Sequence, residues 1–278
     1  MRLKLSRNRD TKIKAKQVLA GLKIIQLMKN WPVYFKDFFG MYKDGFLTYK
    51  FRNGVKLFIK AGSFERNMVN ETWIYKEYTP KGFEIRKNDI VMDIGANSGI
   101  FTIYAASKAS EGKVYAFEPV KENFKRLKKN IELNRFSNIS AYNVGVSDKT
   151  GTRTIMVSNV NSGGHSFYIS GDDKKDKFSV DTISLTDIFK KNKIKRINFL
   201  KCDCEGAEYE ILFPAKELLK RVDKISMEVH YLNERKNVFT MKNFLEENGF
   251  KVKIFPEYEN GLNMLYAKNL FSRDSDNF

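Results

Sequence analysis

The sequence has little cysteine and little histidine, with two residues of each among 278. Cys202 and Cys204 are separated by one residue, which gives no disulfide framework and fits a reducing, cytoplasmic compartment. The same spacing is poor for zinc. Both positions fall where a strand carries apolar residues, so we expect both cysteines to pack as small hydrophobic side chains.

The sequence also lacks an apolar run near the ~20 residues that cross a bilayer. The most apolar stretch near the N-terminus covers residues 18–28. Gly21, Lys23 and Gln26 interrupt it, and it has no small-residue cleavage site, so we expect no signal peptide. Apolar residues make up 42% and aromatics 14% of the chain, which is enough for one large domain or one domain with an extension.

Acidic residues are outnumbered by basic ones, 33 to 50, which gives a net charge of +17. Such an excess favours an anionic partner, and RNA is one hypothesis that it raises. Lysine outnumbers arginine 37 to 13, however, and the sequence contains no recognisable RNA-binding module. Dispersed lysines are more typical of a solvated surface, which is the interpretation we favour.

Residues 1–84 predict a basic extension that acts as a lid or platform for the domain after it. Within residues 15–30, apolar side chains recur at helical spacing until Trp31-Pro32 ends the pattern. We expect this helix to cap a neighbouring domain or a dimer partner, with peripheral membrane contact as the alternative. The apolar residues of this pattern are Val18, Leu19, Leu22 and Ile25.

Two further elements are predicted in the extension. Residues 47–61 alternate apolar and polar side chains around Asn53-Gly54, which predicts a β-hairpin. Residues 71–78 predict a short helix that ends before Pro80.

From residue 85 to residue 278, strands and helices alternate, which predicts parallel βαβ units in a doubly wound, mostly parallel α/β sheet of seven strands. Residues 151–180 predict an inserted hairpin and loop over the carboxyl edge of this sheet. The strands are expected at 90–94, 113–117, 139–146, 197–202 and 224–229, with a terminal antiparallel hairpin at 251–255 and 264–268. The helices are expected at about 99–107, 121–134, 185–191 and 238–248.

The turn after the first of these strands runs from Asp93 to Gly99 with the sequence DIGANSG. A dinucleotide-binding turn has the pattern G-x-G-x-x-G, whereas this turn has G-x-x-x-G, beginning at Gly95, after a carboxylate that repels a pyrophosphate. A ligand with an amine and no phosphate fits better, and S-adenosylmethionine is such a ligand. Asn97 tolerates a positive φ and adds an amide that can meet the methionine carboxylate.

A second carboxylate, Glu118, follows the second strand, 25 residues after Asp93. At this place in the fold a carboxylate accepts hydrogen bonds from both ribose hydroxyls. The spacing of the two acids is about one βαβ unit, so the two signals support each other. The alternative is a tight turn with a helix-capping acid and an unrelated surface glutamate.

Acidic residues are bunched at the end of the fourth strand, where Asp203, Glu205 and Glu208 face the same crevice. We expect these carboxylates to raise one another's pKa. Such a group suits a general base, a substrate clamp or a divalent metal site. Acids that stabilise a helix N-terminus are the alternative, and it explains Glu208 better than Asp203. We assign no metal ligand; Mg²⁺ is compatible with the pattern but not implied by it.

The fifth strand ends with Glu228 and His230, and the other histidine, His165, lies in a glycine-rich stretch expected to overhang that edge. A lone histidine is more often a structural hydrogen-bonding group than a catalyst. The position of His230 at the carboxyl end of a strand nevertheless makes it a candidate site residue. We place Glu228 and His165 on the substrate side.

Four stretches together resemble the FkbM family of S-adenosylmethionine-dependent methyltransferases. They are VMDIGANSGIFT (91–102), VYAFEPVKENFKRLKKNIELN (114–134), INFLKCDCEGAEYEIL (197–212) and ISMEVH (225–230). The resemblance covers about residues 85–270. It implies a class I, Rossmann-like methyltransferase fold and methylation of hydroxyl oxygens in sugars, glycans or secondary metabolites. The alternatives are an RNA methyltransferase that uses the basic surface and a non-catalytic binding protein that retains the fold.

The resemblance also implies roles for individual residues. Glu118 would hold the ribose, and Asn143 would border the adenine. The acceptor would be faced by Asp203, Glu205 and His230. Of these, we expect Asp203 or His230 to act as the base and Glu205 to position the acceptor. The methionine part would be held by Asp93, Gly95, Asn97 and Gly99.

Overall fold

The computed structural model describes residues 18–157, 165–166, 176–256 and 263–272. Its N-terminal part packs two helices and a β-hairpin beside a third helix that continues as a π-helical turn. In chain order these elements are α1 (18–27), α2 (Trp31–Phe38), β1 (Phe46–Lys50), β2 (Lys56–Lys60), α3 (Glu65–Val69) and the π-helix Asn70–Tyr75. The predicted hairpin is confirmed, and Gly54 turns it at φ 90°.

The remainder of the chain alternates strands with helices. The first group is β3 (Ile90–Ile94), α4 (Ile100–Lys108), β4 (Lys113–Phe117), α5 (Lys121–Asn134), β5 (Ile139–Tyr142) and β6 (Gly145–Ser147). The second group is β7 (Gly151–Val157), β8 (His165–Ser166), β9 (Asp176–Ser184), α6 (Leu185–Lys191) and β10 (Ile197–Cys202). The last is α7 (Glu208–Leu212), α8 (Lys216–Leu219), β11 (Val222–Val229), α9 (Val238–Glu247), β12 (Phe250–Pro256) and β13 (Asn263–Asn269).

A seven-stranded sheet forms the centre of the molecule, with the strand order β12-β13-β11-β10-β3-β4-β5. β13 runs in the opposite direction to the other six strands of this sheet. The predicted doubly wound, mostly parallel sheet with a terminal antiparallel hairpin is therefore confirmed. The chain leaves β3 toward β4 on one side and returns to β10 on the other, so the topological switch point lies between β3 and β10.

The predicted strand over residues 139–146 is wrong in its extent, because the chain there forms two strands in different sheets. After β5, Asn143 turns outward and its side-chain amide donates to the carbonyl oxygens of Glu118 and Pro119, at 2.8 and 3.0 Å. After this turn, β6 pairs with β9 in a four-stranded sheet with the order β6-β9-β7-β8. The antiparallel pair β7–β9 is the predicted insertion; the glycine-rich residues 158–164 lie outside the described residues.

Helix α1 is confirmed, but the face that packs on the chain differs from the predicted one. Ile24 and Met28, which are spaced by one helical turn, are buried. They share a hydrophobic core with Val91 of β3 and Phe199 of β10. The four apolar residues of the predicted pattern, Val18, Leu19, Leu22 and Ile25, are instead exposed.

The predicted helix over residues 71–78 begins earlier in the chain. It starts as α3 and ends at Tyr75, where Lys76 adopts a left-handed conformation with φ 56°. None of the helices in the described part of the chain combines the length and apolar character that a bilayer span demands.

Candidate active site

The glycine turn connects β3 to α4 at the carboxyl edge of the sheet. Gly95 has a φ of 77°, and a Cβ there would lie 1.7 Å from the backbone oxygen of Asp203. Glycine is therefore required both by the backbone conformation and by the close approach of the chain after β10. Asn97 has a φ of 50°, as predicted, and its side-chain oxygen accepts from the Ser98 N–H at 2.7 Å.

Glu118 is bound to the same turn by hydrogen bonds. One carboxylate oxygen accepts from the backbone N–H of Asn97 and the other from that of Val120, each at 2.8 Å. The residue is buried, and burial raises the pKa of its carboxyl to about 7 although these N–H groups act in the opposite direction. The spacing of Asp93 and Glu118 in the sequence thus corresponds to a direct hydrogen bond between Glu118, at the end of β4, and the turn that follows Asp93.

Asp93 obtains its partner from within the chain. It is fully buried, with one carboxylate oxygen 3.3 Å from the Lys201 ammonium, while the other accepts from the Thr102 hydroxyl at 2.6 Å. Lys201 lies directly opposite Asp93 in the β3–β10 pairing. Asp93 is absent from the described residues that line the cavity.

Lys201 connects the glycine turn with the acidic end of the site. Its ammonium donates to the Gly95 carbonyl at 2.7 Å and lies 3.4 Å from a carboxylate oxygen of Asp203. Burial alone would lower the pKa of Lys201, but Asp93 and Asp203 raise it above its ordinary value. The Tyr78 hydroxyl donates to the same Asp203 oxygen at 2.8 Å, and its ring faces the ammonium.

His230 is surrounded by carboxylates at the end of β11. Its Nδ1 lies 3.0 Å from the fully buried Glu208, and its Nε2 lies 3.3 Å from Glu205 and 3.6 Å from Glu228. Glu208 also accepts from the backbone N–H groups of Cys204 and Gly206 before α7, as expected for an acid at a helix N-terminus.

The electrostatics of this cluster correct one expectation. Burial would lower the pKa of His230, but hydrogen bonds and charge pairing with Glu205 and Glu208 raise it to about 12, so the ring is an imidazolium at neutral pH. Burial raises the pKa of Glu205, and the neighbouring Asp203 and Glu208 raise it further, as expected. Asp203 departs from the expectation: burial would raise its pKa, but Lys201 and His230 lower it.

One cavity of about 440 Å³ joins the two ends of the site. Its volume is in the range of small-molecule sites. Near the glycine turn it is lined by Ile94, Gly95, Asn97, Phe117, Glu118 and Asn123, with Val146 and Ile155 from the four-stranded sheet. Near the acidic cluster it is lined by Tyr78, Lys201, Asp203, Glu205, Glu228 and His230, and the N-terminal part of the chain adds Met68, Glu71, Thr72 and Glu77.

Asn143 and Gly99 are not among the described residues that line the cavity. Asn143 is exposed and holds the backbone behind Glu118. Gly99 lies against Leu127 of α5, where a Cβ would come within 2.4 Å of a methyl group. The backbone of His165 pairs with Val157, and the prediction for its side chain lies outside what the structure describes.

The cysteines also follow the prediction. Cys202 is buried in the core, Cys204 packs against it, and neither forms a disulfide. Burial raises the pKa of the Cys204 thiol well above its ordinary value, so it is not an activated nucleophile. Within the described residues, Asp203, Glu228 and His230 form one group whose ligand atoms lie within 4.8 Å of one another, close enough to share a metal ion.

Three residues that line the candidate site were not predicted from the sequence: Glu71, Tyr78 and Lys201. Lys201 gave a signal, since a lysine inside an apolar strand must find a buried partner. Glu71 and Tyr78 gave none, because they reach the cavity from a segment more than a hundred residues away from Asp203 along the chain.

The switch point between β3 and β10, the glycine turn after β3 and the carboxylate after β4 define a class I S-adenosylmethionine-dependent methyltransferase. Residues 93–252 match the family described as Methyltransferase FkbM domain, and the chain belongs to that family.

Several curated proteins are similar to this chain. Methyltransferase 1 of Beauveria bassiana is 27% identical over 188 residues, covering 60% of this chain and 74% of the relative. Hexuronic acid methyltransferase AglP of Haloferax volcanii is 25% identical, covering 61% and 71%. The 31-O-demethyl-FK506 methyltransferase FkbM of Streptomyces tacrolimicus is 25% identical, covering 59% and 76%. Among solved structures, a precorrin-6y C5,15-methyltransferase of Geobacter metallireducens aligns with a TM-score of 0.42 at 14% identity, over 68% of this chain and 84% of that one.

Proposed function

We propose that this methyltransferase transfers the methyl group of S-adenosylmethionine to a hydroxyl oxygen of a sugar, a glycan or a secondary metabolite. The observation that carries the proposal is that one continuous cavity is lined both by the glycine turn with Glu118 and by Glu205 with His230. The names of two relatives, a hexuronic acid methyltransferase and a 31-O-demethyl-FK506 methyltransferase, support acceptors of this kind.

The residues at the turn end suit the cofactor. Glu118 is buried on the cavity wall with one short backbone hydrogen bond to each carboxylate oxygen, which leaves acceptor capacity on both oxygens for a ribose diol. Ile94, Phe117 and Val146 provide apolar walls for the adenine. The turn from Gly95 to Asn97 borders the methionine part. When bound, S-adenosylmethionine supplies a methyl group that is already activated by a sulfonium.

The task left to the acceptor end is to align a hydroxyl group and to take its proton. His230 is an imidazolium at neutral pH, so it positions and balances the surrounding carboxylates instead of acting as the base. One Asp203 oxygen is held by Lys201 and Tyr78, and its lowered pKa makes it a weak base. Glu205 lines the cavity, has a raised pKa, and is therefore our choice for the proton acceptor.

The test is a methyl-transfer screen with labelled S-adenosylmethionine against sugars, lipid-linked glycans and RNA, with and without added Mg²⁺. We expect transfer to a hydroxyl-bearing sugar or metabolite acceptor. Transfer to RNA alone would overturn the acceptor class. The Glu205→Gln variant serves as the control, since it is expected to bind the cofactor normally and to transfer slowly.

A further inference from the structure

Helix α1 has two apolar faces. Ile24 and Met28 on one face are buried against the rest of the chain, at 3% and 0% exposure. On the other face Val18, Leu22 and Ile25 follow the spacing i, i+4, i+7 and form a stripe, which Leu19 widens. The exposed fractions of these four residues range from 38% to 63%. A soluble helix normally leaves such a face polar, so the stripe calls for a partner.

Aromatic residues of α2 extend the exposed apolar surface next to α1. The Phe35 ring packs beside Gly21 of α1, and the Trp31 ring lies 5.9 Å from that of Phe35. Trp31 and Phe38 stand on the same side of α2 as Phe35, and their exposures are 38% and 55%. We call the exposed residues of the two helices, Val18, Leu19, Leu22, Ile25, Trp31 and Phe38, the N-terminal apolar surface.

Charge in the same part of the chain indicates the chemistry of the partner. The first 50 residues hold twelve basic and three acidic residues, a net +9 of the +17 of the whole chain. More than half of the net charge therefore lies in the first 50 residues. Apolar side chains with a tryptophan, flanked by clustered lysine and arginine, are the combination that binds an anionic bilayer surface. A second copy of the chain would bring two such basic segments together, which is unfavourable.

We propose that the N-terminal apolar surface docks this enzyme on an anionic lipid bilayer. Helix α1, which carries most of this surface, contacts the π-helix, because the Lys23 ammonium donates to the Ile74 carbonyl at 3.4 Å. Glu71 and Thr72 of the same π-helix line the cavity. Docking there holds the enzyme close to acceptors that are attached to, or assembled at, a membrane.

The test is co-sedimentation of the full chain with vesicles of phosphatidylcholine alone and with vesicles of phosphatidylcholine mixed with phosphatidylglycerol. We expect binding to the anionic vesicles only, and weaker binding as salt is added. The Leu19→Gln/Leu22→Gln variant is expected to bind at least about tenfold more weakly, since two leucines no longer enter the bilayer. Phe239→Gln is the matched control, because Phe239 is 68% exposed but lies on α9.

Calorimetry with S-adenosylmethionine on each variant separates this proposal from the proposed function, because neither substitution touches the cavity. Equal binding of the wild type and the leucine variant to anionic vesicles would overturn the proposal, as would no binding at all. A wild type that sediments as a dimer in the analytical ultracentrifuge, with a monomeric leucine variant and no vesicle binding, would assign the surface to a second copy instead.

Discussion

The two ends of the cavity are built in different ways. The turn end is local: β3, the turn and the end of β4 lie within about one βαβ unit, and backbone N–H groups make most of its bonds. The acceptor end is assembled from Tyr78, which follows the π-helix, and from the carboxyl ends of β10 and β11, and charged side chains hold it together. A local site depends on backbone conformation, whereas an assembled site depends on the balance of its charges. The following substitutions test this difference.

Gly95→Ala should have the largest effect. The alanine would be held in a left-handed backbone conformation, and its Cβ would collide with the Asp203 backbone. We therefore expect loss of cofactor binding and a marked fall in the free energy of unfolding. Gly54→Ala is the matched control, since its φ is 90° with nothing within 4 Å, and should cost only about 1–2 kcal/mol. Urea unfolding measures the free energy of unfolding, and calorimetry measures cofactor binding. If both variants lost the same free energy of unfolding, glycine would be needed at position 95 for its positive φ alone.

Lys201→Met should come next, because it leaves two carboxylates near each other without their shared cation. We expect a loss of about 3–5 kcal/mol in the free energy of unfolding. Adding Asp93→Asn removes one of the uncompensated charges and should restore part of the loss. A single variant as stable as the wild type would contradict the role given to the Asp93–Lys201–Asp203 network.

Glu205→Gln should leave the fold intact and slow methyl transfer by about a hundredfold, the lower range for a lost acid–base group. Cofactor affinity should change little, since Glu205 lies at the acceptor end. Asp203→Asn in the same assay distinguishes the two carboxylates, because Asp203 is engaged by Lys201 and Tyr78. The choice of Glu205 fails if its variant keeps full turnover with the acceptor found in the screen.

Asn97→Gly should have the smallest effect. Glycine accepts a φ of 50° without strain and loses only the bond from Asn97 to the Ser98 N–H. We expect a change below about 1 kcal/mol in the free energy of unfolding, seen in urea melts. If the affinity for S-adenosylmethionine nevertheless falls strongly, the Asn97 amide contacts the methionine carboxylate, as the sequence suggested.

The difference between local and assembled structure also explains how much of the fold and of the site could be predicted from the sequence. The sheet, the Asn53-Gly54 hairpin and the positive φ of Asn97 follow from local patterns, and the structure confirms them. The pKa of Asp203 was predicted in the wrong direction because its sign depends on Lys201 and His230, whose proximity is tertiary. Glu71 and Tyr78 carry no motif, and only packing of the extension on the sheet brings them to the cavity.

The exposed apolar stripe of α1 is a second feature that the sequence predicted only in part. Its helical period was predicted correctly, but periodicity alone does not tell which of two apolar faces meets the core. Ile24 and Met28 are the residues of α1 that pack in the core, together with Val91 and Phe199. The predicted face is thereby left available to a partner.

The central claim is that the turn and Glu118 bind S-adenosylmethionine, and calorimetry at pH 8 and pH 6 tests it most directly. The pKa of Glu118 is raised to about 7, so its carboxylate is ionised at pH 8 and mostly protonated at pH 6. We predict that wild-type affinity falls about tenfold from pH 8 to pH 6. Glu118→Gln should bind weakly at both pH values, apart from any change due to the cofactor itself. A wild type that binds no cofactor, or a variant with the affinity and pH dependence of the wild type, would contradict the claim.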